Sequence, residues 1–245
     1  MTDHPIGRRA VVLGGVGLAG LTLGSSGAIV ADELIPAADR TQLPATEDLM
    51  TDHGLLKRIL LIYREGSRRL RTGDALDPNT IFHSAQIVHD YIESFHEGIE
   101  EGFIFPALVK ANTLADTVRT LLVQHDRGRK ITVAIIGATS AMAMNGMPAA
   151  PGLRTAAGRA RVARWLDAFV TMYEPHEARE DTEVFPAFRR VTTDRQFALI
   201  SEQVAEAQRR DYGDNAIAHF LAQIAGIEKQ LGIHDLNAFT PPEPT

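Results

Sequence analysis

The sequence predicts an all-α protein, an up-down four-helix bundle with additional C-terminal helices, and three observations predict it. Apolar residues recur at spacings of three and four along most of the chain, and no stretch shows the alternation of a half-buried strand. Glycine, proline and Asx residues divide these periodic stretches into helix-length blocks. A pattern H-E-x-x-E-[ED]-x-x-[IV]-F-P-A also occurs twice, from His96 to Ala107 and from His176 to Ala187, as a doubled helical hairpin would produce.

Residues 1–31 read as a targeting segment, with Arg8-Arg9 in a short polar start, an uncharged stretch from Ala10 to Val30, and then Asp32-Glu33. Gly7-Arg8-Arg9-Ala10-Val11-Val12 resembles a twin-arginine export signal, which implies a periplasmic or extracellular protein exported already folded. Ser26-Gly27-Ala28 or Ile29-Val30-Ala31 supplies small residues ahead of a cleavage site. The alternative is an uncleaved membrane anchor, because 21 uncharged residues approach the length of a span, although six glycines make it a poor one.

Residues 32–46 form a Pro-containing polar linker, 47–190 the bundle, and 191–245 a helical extension and tail. The first helix is expected over 47–72, with Leu55, Leu56, Ile59, Leu60 and Tyr63 as its apolar face and Gly73 as its end. Asp77-Pro78-Asn79-Thr80 opens a second helix reaching about residue 110. A third spans 113–144, followed by a breaker stretch over 145–152, and a fourth covers 154–190. A fifth runs over 194–210. A sixth, over 214–231, carries Ile217, Phe220, Leu221, Ile224, Ile227 and Leu231 in helical register, and an extended tail follows Gly232.

With 245 residues, 44% hydrophobic and 23% charged, the chain can build one sizeable core. The net charge of −6 is spread over interspersed charges of both signs, without a basic stripe, so no nucleic-acid partner is predicted. The absence of cysteine removes disulfides, thiolate zinc sites, iron–sulfur clusters and cysteine nucleophiles. Nothing supports Ser-His-Asp catalysis or a phosphate loop, and Gly14-Gly15-Val16-Gly17 lies in the apolar leader rather than after a strand.

The repeated motif is where chemistry concentrates. Residues four apart share a helix face, so His96 with Glu100, and His176 with Glu180, can each aim two ligands at one place. The bland alternative is a pair of exposed ion contacts, but such a contact gives no reason for the Phe-Pro-Ala that follows both copies. His53 and His125 sit near the starts of the first and third helices. Counting from the shared turns places them within about one or two turns of the facing motifs, at a rise of about 1.5 Å per residue. Four imidazoles and two carboxylates exceed a tetrahedral zinc site and are too nitrogen-rich for calcium or magnesium. Divided between two metals, with Glu100 and Glu180 bridging, they leave positions for water, oxide or a small ligand. That composition suits two iron ions, with manganese next.

These residues resemble the hemerythrin-like, or HHE cation-binding, family over about 47–190. The resemblance implies a four-helix bundle with a di-iron centre. His53 matches the first-helix ligand, His96 with Glu100 the second-helix pair, His125 the third-helix ligand, and His176 with Glu180 the fourth-helix pair. Oxygen-carrying members have a second histidine four residues further along the third helix, and here that position is Arg129. Glu97 or Glu177, adjacent to ligand histidines, either completes the shell or is a glutamate that is solvated or supports the ligands from outside. Asp52, Asp126, Glu101 and Asp181 are candidates to set ligand basicity.

His89 is expected in the core or beside the ligands, whereas His83, His219 and His234 are read as structural or exposed, and His4 lies in the leader. Met142, Met144 and Met147 are read as packing residues rather than a copper site. The expected function is a non-haem di-iron protein that binds or senses oxygen, peroxide, nitric oxide or iron. An oxidase or peroxidase, with Arg129 stabilising a bound anion, and a metal-free structural bundle are the alternatives.

Overall fold

A computed structural model describes residues 43–140 and 150–244, and among these the chain is all-helical, without a strand. The leader, the linker up to residue 42, the three clustered methionines and most of the breaker stretch lie outside the described residues. All six helices belong to the unit Pro44–Thr245. No helix among the described residues is long and apolar enough to cross a membrane.

Helix α1 spans Ala45–Thr72, and the five residues expected on its apolar face are all buried. Glu47 and Asp48 stand in its first turn, where the helix dipole favours negative charge. Gly73 ends it at φ 81°, a left-handed conformation that costs glycine nothing, and returns its N–H to the Arg69 carbonyl. Helix α2 then runs unbroken over 78–110. Asp77 caps it by accepting from the Asn79 N–H, and Pro78 fills a first-turn position where no N–H is needed.

Helix α3 is Ala115–Thr139; Ser140 turns to ψ 122°, so the helix stops short of the expected residue 144. Helix α4 covers 156–191, capped by Thr155 on the Gly158 N–H. Helix α5 is Asp194–Tyr212, opened by a reciprocal cap between Thr193 and Gln196. Helix α6 is Ala216–Leu231, where Phe220, Ile224, Ile227 and Leu231 are buried but Leu221 is exposed. The tail is not wholly extended, because Asp235 accepts from the Asn237 N–H and starts a short turn at Leu236–Phe239.

Residue pairings show the helices running in alternate directions. Gly66 of α1 faces Ile81 while Asp52 meets His96, so α2 is antiparallel to α1. Ser67 reaches the Ala163 carbonyl while His53 meets Asp181, so α4 is antiparallel to α1 as well. Arg129 meets Glu97 and His125 meets Glu101, which orients α3 against α2. Helices α5 and α6 pack on this core through the Arg58–Glu228 ion pair and the contact of Tyr91 with Tyr212 and Phe220.

Both motif-bearing helices widen by one turn at the same place, Glu100–Ile104 in α2 and Glu180–Val184 in α4. Each wide turn precedes a Phe-Pro pair that opens the last stretch of its helix. A proline inside a helix lacks the N–H and presses on the carbonyl one turn back, and a wide turn absorbs both defects. A further wide stretch, Val88–His96, changes the phase of α2. Seven residues there no longer complete two turns, so His89 faces solvent and contacts Asp90, contrary to the core position expected for it.

Candidate metal centre

The six predicted ligands converge in the interior, all at most 4% exposed. His53, His96, Glu100 and Glu180 bring four ligand atoms within 4.8 Å of one another, and His125, His176 and Glu180 form an adjoining group. Each carboxylate spans two imidazoles. Glu100 places one oxygen 3.5 Å from His96 Nε2 and the other 3.6 Å from His125 Nε2. Glu180 places one 3.4 Å from His53 Nε2 and the other 3.2 Å from His176 Nε2. His125 and His176 Nε2 are themselves 3.2 Å apart.

None of the four carboxylate oxygens has a hydrogen-bond partner, and neither has His53 Nε2. Unpaired buried carboxylates carry a heavy desolvation cost, which a cation among these atoms would offset. The donor set therefore fits metal ions, held through Nε2 nitrogens and carboxylate oxygens.

The outward nitrogen of every ring is also engaged. Nδ1 of His53 lies 2.7 Å from Asp181, and that of His96 lies 3.2 Å from Asp52. Nδ1 of His125 lies 2.9 Å from Glu101, and that of His176 lies 2.9 Å from Gln124. An acceptor on Nδ1 fixes the ring with its Nε2 lone pair inward, the orientation that a metal ligand requires. Phe185 stacks on His53 at a centroid distance of 5.5 Å, and Phe105 stacks on His125 at 5.6 Å. The Phe-Pro that trails each motif thus seats the imidazole contributed by another helix.

Burial lowers the affinity of His53 for a proton, but Asp181 and Glu180 more than compensate and lift its pKa to about 9. Burial is likewise outweighed at His96 by Glu100 and Asp52, which hold that ring well above the ordinary value. Burial would raise Glu180, yet the neighbouring His176 and His53 hold it well below the usual carboxylate range.

Glu177 joins none of the convergent groups, whereas Glu97 with Glu101 and His125 forms a third group beside the other two. Glu97 accepts from the Tyr173 hydroxyl at 2.7 Å and pairs with Arg129 at 2.7 Å, while Glu177 pairs with Lys57 at 2.7 Å. Arg129 also reaches Glu101 at 2.6 Å, which leaves it committed to two carboxylates rather than to a bound anion. Asp52, Glu101 and Asp181 do contact ligand histidines, but Asp126 is exposed and pairs with Lys130, because it follows His125 on the outer face of α3. His83 and His219 are exposed, and His234 is half-exposed against Glu228.

Sequence reasoning passed over Lys57, Gln124, Tyr91 and Tyr173. Aligning His53 with His125 exposes the first two, since Asp52 and Gln124 precede those histidines and Lys57 and Arg129 follow four residues later. Tyr173 depends on Gly128, where any β-carbon would overlap its hydroxyl.

Relatives of this chain occur in mycobacteria. Proteins of Mycobacterium bovis and of Mycobacterium tuberculosis strains CDC 1551 and H37Rv, each designated uncharacterized, are 43% identical to it over 197 residues, which is 80% of this chain and 74% of each relative. No family model matches the chain, and no solved structure matches it.

Proposed function

The chain belongs to the same family as these mycobacterial proteins, and we propose that it is a non-haem di-iron protein of the hemerythrin-like type that binds or senses oxygen, peroxide, nitric oxide or iron. The observation that carries this reading is the pair of carboxylates, Glu100 and Glu180, whose four buried oxygens lack hydrogen bonds while each residue spans two imidazole Nε2 atoms. His53 and His96 would hold one ion, His125 and His176 the other, and the two glutamates would bridge them. Nitrogen-rich ligation with carboxylate bridges suits iron, with manganese next.

Bound iron would supply one-electron redox chemistry and open positions for a small ligand. The chain's own residues do the rest. Asp181, Asp52, Glu101 and Gln124 orient the imidazoles, and Phe105 and Phe185 cover two of them. Lys57 and Arg129 hold Glu177 and Glu97. Arg129 stands where oxygen-carrying hemerythrins have another ligand, which weighs against simple reversible oxygen carriage. The twin-arginine resemblance of residues 1–31 supports a setting outside the cytoplasm, or on the membrane if that segment is retained.

Metal content by elemental analysis and visible absorption, on protein purified from iron-supplemented cells, tests the proposal. About two irons per chain, with near-ultraviolet bands that respond to azide or peroxide, is the expected result. Absence of bound metal, together with no thermal stabilisation by ferrous iron added without oxygen, would overturn it. Catalytic turnover of peroxide by the loaded protein would favour the oxidase or peroxidase reading.

A further inference from the structure

Resting on the two-metal reading, we propose that the two metal positions are unequal: the His53/His96 position binds more tightly, because helix α5 tethers it through Gln208, Tyr91 and Asp52. The duplicated architecture supplies its own comparison. Around His53 and His125 the surroundings correspond in kind, Asp181 with Glu101, Lys57 with Arg129, and Glu177 with Glu97. Around His96 and His176 they do not.

His96 Nδ1 meets a carboxylate, Asp52, which is fully buried. His176 Nδ1 meets a neutral amide, Gln124, at the matching position. A carboxylate acceptor makes the imidazole a stronger donor and adds a negative charge close to the cation, whereas an amide oxygen only orients the ring. Of the groups that meet the four Nδ1 atoms, only this pair differs in charge, and it places one more carboxylate against the rings of the His53/His96 half.

Asp52 is also held from behind. The Tyr91 hydroxyl donates to Asp52 at 2.8 Å, and the Gln208 amide donates to the Tyr91 oxygen at 2.8 Å. The residue corresponding to Tyr91 in the second motif helix is Thr171, which is exposed. The sequence Gln208–Tyr91–Asp52–His96 therefore ties the C-terminal extension to one metal position and has no counterpart at the other among the described residues. It gives α5 a role beyond packing, that of fixing the carboxylate that orients a ligand. Asp52, Tyr91 and Gln208 are positioning residues in this scheme.

Metal-free full-length protein titrated with cobaltous ion, followed by visible absorption and calorimetry, tests the proposal. The expected result is two steps of one equivalent each, separated by about tenfold or more in affinity, since partners of ligand histidines typically carry about 10–100-fold. His96→Ala should abolish the tight step and His176→Ala the weak one. Asp52→Asn should weaken the tight step toward the other, Gln124→Glu should strengthen the weak step, and Tyr91→Phe and Gln208→Ala should weaken the tight step alone. The last three variants keep the test decisive even if Asp52→Asn fails to fold. Two equal steps in the wild type, or a tight step lost with His176→Ala, would overturn the inequality and leave the two-metal reading intact. No cobalt bound at all would overturn both.

Discussion

Arg129 lies 2.7 Å from Glu97, across the contact between α2 and α3, and stands four residues beyond His125. A cation therefore stands one helical turn beyond His125 and engages a glutamate adjacent to His96. Lys57 repeats the arrangement with Glu177, four residues beyond His53. Burial raises both glutamates above the ordinary carboxylate range, with the cations opposing that rise.

A double-mutant cycle on Arg129→Ala and Glu97→Gln in metal-free protein should return a coupling of about 1–2 kcal/mol by urea denaturation. That is less than the ~3–5 kcal/mol of breaking a fully buried pair, because the arginine side chain is 39% exposed. Additive effects of the two substitutions would show that the contact contributes nothing.

Bridging and terminal ligands should differ in stoichiometry. On the proposed two-iron reading, His96→Ala or His125→Ala would remove a ligand of one position and should lower iron content from about two to about one per chain. Glu100→Ala or Glu180→Ala disturbs both positions and should lower it below about one. Elemental analysis of the four proteins reads this directly; equal losses in all four would argue against the bridging roles.

Gly128→Ala should destabilise the protein by about 1–3 kcal/mol, the usual range for overpacking, because its methyl group would meet the Tyr173 hydroxyl. In a Tyr173→Phe background the same substitution should cost measurably less, since the closest clashing atom is gone and only ring carbons at 2.8 and 2.9 Å remain. Thermal unfolding of the four proteins completes the cycle, and an unchanged cost in the second background would count against this packing account.

Glu93 is buried, and burial together with the Glu97 charge raises its pKa from 4.5 to about 7. A raised folded-state value means that the folded protein holds this proton more tightly than the unfolded chain. The contribution of Glu93 is therefore complete below about pH 4.5 and is lost as the pH rises to about 7, a change of about 3 kcal/mol. Metal-free Glu93→Gln should accordingly gain stability over the wild type at pH 8 and show little difference at pH 4.5. Denaturation curves at the two pH values check this, and a constant difference would contradict it.

Local signals determined much of this protein. Asp77-Pro78 and Gly73 mark helix ends because capping and left-handed turns depend on a few neighbouring residues, and the spacing of Leu55, Leu56, Ile59, Leu60 and Tyr63 gave the buried face of α1 because helical periodicity is intrinsic to the backbone. The pairs His96/Glu100 and His176/Glu180 were legible for the same reason: four residues span about one turn whatever lies opposite. What the tertiary structure decided is what each candidate ligand meets across a helix interface. Lys57 and Arg129 hold Glu177 and Glu97, Tyr173 enters the notch at Gly128, and Gln208 reaches Tyr91 over a separation of 117 residues. Wide turns in α2 shifted the helix phase and turned His89 outward, and Asp126 fell on the outer face of α3 although it adjoins a ligand. Sequence spacing sets which residues share a helix face, but the partner of each face depends on helix phase, tilt and packing accumulated over the whole chain, and those quantities exist only once the helices have docked.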